Sequence, residues 1–88
     1  MAERYKVSVK VISQQGTCGS EHKVGDHWVV DRKTPEGMCL SAFSSLLSGL
    51  QVLKYGGTFP WSDDPDVTTS ACPDAENPTV FELRRLRE

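Results

Sequence analysis

The chain has 88 residues, with ten basic and twelve acidic side chains and a net charge of −2. That length leaves room for one hydrophobic core, and that charge gives no electrostatic reason to expect nucleic acid or an anionic membrane as partner. A chain this short buries only about 60–65% of the surface its unfolded form exposes, so a metal, a disulfide or self-association is a common supplement to the core.

Tyr5 opens a clean alternation, YKVSVKVIS, in which Tyr5, Val7, Val9 and Val11 face one way and Lys6, Ser8 and Lys10 the other. This is the pattern of a half-buried strand. QQGTCGSEHKVGD follows as a loop, with Gly16, Gly19 and Gly25 supplying turn freedom. HWVVD, short and β-branched, reads as a second strand paired antiparallel with the first. RKTPEGMC is irregular. From Leu40 the spacing changes: Leu40, Phe43, Leu46, Leu47, Leu50 and Leu53 recur every three or four residues and predict one amphipathic helix that stops at Gly56-Gly57. TFPWSDDPD is a proline-containing loop, VTTSA a third strand, CPDAENP a turn and TVFELRRLR a fourth strand with Phe81, Leu83 and Arg85 on one face.

The order β-β-α-β-β predicts an α+β fold in a single domain spanning 1–88: a small, mainly antiparallel four-stranded sheet with one helix on a face. The expected core is Val7, Val9, Val11, Val29, Phe43, Leu46, Leu47, Leu50, Phe81 and Leu83. A sheet this small has open edges, so a homo-oligomer is expected. The polar start MAERYKVSVK lacks an apolar export segment, and no stretch is long enough to cross a bilayer. These features predict a cytoplasmic protein with no membrane partner, and three cysteines, an odd number, are then expected as reduced thiols.

Four stretches, CGSEHKVGD, TPEGMCLSAF, YGGTFPW and CPDAENPTVFELRR, cover much of the chain in order. Together they resemble a family of small uncharacterised prokaryotic proteins of about this size, with CxxxHKVGD, PEGxC, YGGxFPW and CPDxxNPxVFELRR motifs. The family typically has Cys-Pro where this chain has Cys39-Leu40. The resemblance implies a shared fold and directs attention to Cys18, His22, Cys39 and Cys72, but it implies no reaction.

Three readings of those residues stay open, with metal binding the leading one. Cys18, His22, Cys39 and Cys72 form a sulfur-rich donor set suited to tetrahedral zinc or to iron, each in a loop or at an element edge. Their spacing lacks the paired Cys-x2-Cys knuckle, and the plainer alternative makes Cys39 and Cys72 small buried hydrophobes. The second reading is a thiol-dependent enzyme: Cys39 at the helix N-terminus as nucleophile, His22 or His27 as base, Asp26 or Asp74 orienting it. The third is an oligomeric small-ligand or protein-interaction module with structural cysteines, in which Tyr55, Phe59 and Trp61 wall a pocket; against it, Phe59 and Trp61 cap the core. His27 reads as an exposed strand start, Asp26 as a turn residue, and Asp63, Asp64 and Asp66 as a solvated turn rather than a calcium site. No G-x-G-x-x-G or phosphate loop is present, so no nucleotide cofactor is expected.

Overall fold

The computed structural model describes residues 4–17 and 22–87. Its elements are β1 (Lys6–Gln14), β2 (His27–Val30), α1 (Leu40–Lys54), β3 (Val67–Ala71) and β4 (Thr79–Leu86). The four strands form one antiparallel sheet in the order β2-β1-β4-β3, with α1 against one face. The α+β architecture expected from the hydrophobic periodicities is therefore the one formed. No helix among the described residues is long and apolar enough to cross a membrane.

Alternation along the strands sends one row of side chains inward. On β1 these are Val7, Val9 and Val11; opposite them in register on β4 stand Arg85, Leu83 and Phe81. Ala42, Leu46, Leu50 and Leu53 of α1 close over this row, and each large apolar side chain so covered contributes about 1.5–3 kcal/mol. A register shift between Val11 and Ser13 marks a bulge. Just before it, Val11 bonds through both its backbone groups to Gly25 and Asp26, which leads the loop back into β2.

Three core expectations are corrected. Val29 is 49% exposed, because Trp28 and Val30 face inward opposite Val9 and Val7. HWVV has no polar alternation, so its buried face is decided only by register with β1. Leu47 is 42% exposed and Phe43 only half-buried, while Ala42 and Leu53 are fully buried. The helix has a wider apolar face than the sheet beneath it covers.

Both helix ends are tied by chemistry from elsewhere. At the C-terminus Gly56 takes φ 87°, Gly57 N–H reaches Val52 O at 2.8 Å and Gly56 N–H reaches Leu53 O at 3.2 Å. These paired bonds from a left-handed glycine form a Schellman termination. Arg85, 3% exposed, donates to Leu53 O, Gly57 O, Pro65 O and the Asp66 carboxylate at 2.8–3.0 Å. Buried Lys54 donates to both the carbonyl and the carboxylate of Asp31. Both cations also face the negative end of the helix dipole.

The hydrogen bond and charge of Arg87, joined by those of Arg85, hold the Asp66 carboxyl below the ordinary carboxylate range despite some desolvation. A depressed folded-state value stabilises the fold above the unfolded-state value, about 3.9, and that contribution disappears as pH falls through the folded value. Urea denaturation midpoints should therefore decline below about pH 4. Asp66→Asn, measured alongside, should give a shallower acid limb; an unchanged limb would assign acid loss to other carboxylates.

Candidate functional site

Of the expected donors that the structure describes, His22 meets Cys39 at the start of α1, and Cys72 lies just past the end of β3 beside Thr79. His22 is buried, with its ring edge-on to Trp28 at 5.1 Å and to Phe81 at 6.3 Å. Its Nε2 accepts the backbone N–H of Cys39 at 2.9 Å. An accepting Nε2 carries no proton, so the neutral ring has its hydrogen on Nδ1. Nδ1 lies 3.9 Å from Asp26 Oδ2, which itself accepts Lys23 N–H. His22 thus serves the N–H of the N-cap residue, one of the first amides of a helix that have no intrahelical acceptor, while the Cys39 side chain makes no capping bond.

Cys39 is half-buried and packs against the core with Met38 and Phe43. Cys72 approaches from the β3 side. Its N–H bonds Thr79 O, and its Sγ accepts Thr79 N–H at 3.3 Å. His22 arrives from the β2 side, beside Trp28. Cys18 lies outside the described residues. Among the described residues, no three His, Cys, Asp or Glu side chains form a metal-holding group.

The other candidates are dispersed. His27 is exposed on β2. Asp74 is committed to its own turn, where Oδ1 accepts the amides of Glu76 and Asn77. Phe59 packs against the core with the Trp61 ring tilted against it at 4.9 Å, while Trp61 remains exposed. Asp64 caps the turn by accepting Asp66 N–H, and Asp66 receives Arg85 and Arg87.

A second feature lies on the opposite flank of the helix. The helix rests on β3, β4 and β1 but not on β2. Its uncovered side leaves a cleft of about 430 Å³ bounded by β2 and the following segment 31–34. Val7, Val30, Phe43, Leu47 and Leu50 form an apolar floor. Phe43, Leu47, Leu50 and Lys54 fall on one helical stripe, which explains why Leu47 is apolar yet exposed. Arg4, Arg32, Lys33 and Lys54 stand at the cleft with, among the described residues, one carboxylate, Asp31, already bonded to Lys54. Of the three aromatics expected to wall a pocket, Tyr55 lines this cleft. Sequence reasoning missed the site, although the surplus apolar residue Leu47 and the Arg32-Lys33 pair after β2 were its signal.

Compared with known proteins, the chain matches no family model, no curated protein and no solved structure.

The His22 geometry makes a direct prediction. His22→Leu keeps an apolar ring-sized filler but leaves the Cys39 amide without its acceptor, at an expected cost of about 1–3 kcal/mol. Denaturation would measure the loss, and amide exchange at Cys39 should accelerate more than at Leu50 in the same helix.

Proposed function

We propose that this protein is a small-ligand-binding domain whose working surface is the cleft between α1 and β2, with His22, Cys39 and Cys72 in structural roles. The observation that carries the reading is the cleft itself. Its volume, about 430 Å³, falls within the roughly 300–1,000 Å³ of small-molecule sites, and it pairs an apolar floor with a few polar groups at one margin. The tied helix ends support the reading, because a cleft bounded by fixed elements needs little reorganisation to accept a ligand.

The test is a chemically mixed set of small organic molecules followed by amide-resolved NMR. Binders should move resonances of Val30, Thr34, Leu47 and Gln51 saturably. Leu47→Glu should abolish that binding while costing less than about 1 kcal/mol of stability, since the side chain is 42% exposed and lies outside the buried core. Binders that act elsewhere, or that ignore the substitution, would overturn the assignment.

A second reading is favoured by one specific contact. The Thr79 N–H on Cys72 Sγ is the kind of bond that stabilises a metal-bound thiolate. On that reading zinc or iron is held by Cys39 and Cys72 with Cys18, and His22 joins only by releasing the Cys39 amide. Elemental analysis of untagged protein prepared without chelator decides it. Near one equivalent of metal, lost together with stability in Cys72→Ser, would support the metal centre; metal-free protein with three titratable thiols would remove it.

A further inference from the structure

The charges around the α1–β2 cleft are one-sided in a chain that is acidic overall. Four of the ten basic residues stand at it, against a single carboxylate among the described residues. Lys54 is neutralised by Asp31. Arg4, Arg32 and Lys33 are exposed and have no ion-pair partner among the described residues, although carboxylates are plentiful elsewhere. Arg87 and Arg84, by contrast, are both paired with aspartates in the segment leading into β3. Gathering like charges beside a low-dielectric floor is unfavourable unless an anion answers them.

The floor restricts what that anion can be. Phe43, Leu47 and Val30 present hydrocarbon and no hydrogen-bonding side chain. A small inorganic anion would leave this surface wet, and a neutral apolar molecule would leave the three cations unanswered. A folded partner is too large for about 430 Å³. We infer that the cleft binds a small organic acid with an apolar body, its carboxylate among Arg4, Arg32 and Lys33 and its hydrocarbon along Phe43, Leu47 and Val30. The Tyr55 and Thr34 side chains line the same space and offer further hydroxyl donors to the carboxylate. This deepens the preceding reading and rests on the cleft being a ligand site.

Three test ligands of one shape and different charge separate the two claims: octanoate, octanol and octyltrimethylammonium, each titrated below its aggregation limit and followed by amide-resolved NMR. Octanoate should saturate, moving Thr34, Leu47 and Gln51. Octanol should bind the same residues at least about tenfold more weakly, as expected for loss of a charge-assisted contact, and the cation should bind least. Exchanging Arg4, Arg32 and Lys33 together for glutamine should erase the preference for octanoate over octanol. Those side chains are exposed, so the fold should survive. Equal affinity for octanoate and octanol at the cleft would overturn the anion inference and leave the ligand site standing. No saturable shift at the cleft from any of the three, with other molecules binding there, would overturn it as well. Failure of every small molecule at the cleft would remove both claims.

Discussion

A buried guanidinium organises this protein. Arg85 occupies a place in the inward row of β4 that alternation assigns to a core side chain, directly following Phe81 and Leu83. A lone charge there would be prohibitive, so its donors must all be met. Each of its three nitrogens donates, in four bonds to Leu53 O, Gly57 O, Pro65 O and Asp66, while the guanidinium lies 5.4 Å over the Tyr5 ring. Those acceptors come from the helix end, the loop after it and the approach to β3. The path of residues 57–66 is thereby set by one side chain. Lysine could not replace it, since a point-like ammonium lacks the planar fork that spans four separate acceptors.

The far end of the helix is held by a neutral counterpart. His22 accepts the Cys39 amide and wedges between Trp28 and Phe81. Trp28 in turn donates its indole N–H to Glu36 O at 3.0 Å, fixing the segment that leads into α1. With both ends tied, the helix axis is constrained to lie over β3, β4 and β1. The fourth strand, β2, is left uncovered by this placement, and the cleft is its geometric consequence. Arg85 and His22 thus shape the candidate ligand surface without lining it.

The two candidate regions answer to different physics. At the His22 end, polar atoms are used internally: imidazole, amide and thiol have partners supplied by the fold. At the cleft, polar groups point outward, and three charges are unmatched among the described residues. Satisfied groups contribute to order, whereas uncompensated ones beside an apolar floor are available for a ligand. In a domain with so thin a core, both uses are expected within a short distance.

Period-two alternation in YKVSVKVIS and TVFELRRLR and the three-to-four spacing from Leu40 to Leu53 determined the element order, the helix stop at Gly56 and most of the core. These patterns are legible because burial repeats with the geometry of each element. The burial of Arg85 beside Phe81 and Leu83 was legible as a shared face, but its partners lay 19 to 32 residues away and were not. His22 was visible as a candidate donor, while its engagement with Cys39 depends on a loop folding back across β2. Val29 and Leu47 were misplaced because an apolar residue shows no preference between two faces until a neighbour covers one. The cleft belongs to the tertiary structure alone: it exists where a helix fails to cover a strand, and no local pattern records an absence of packing between distant elements.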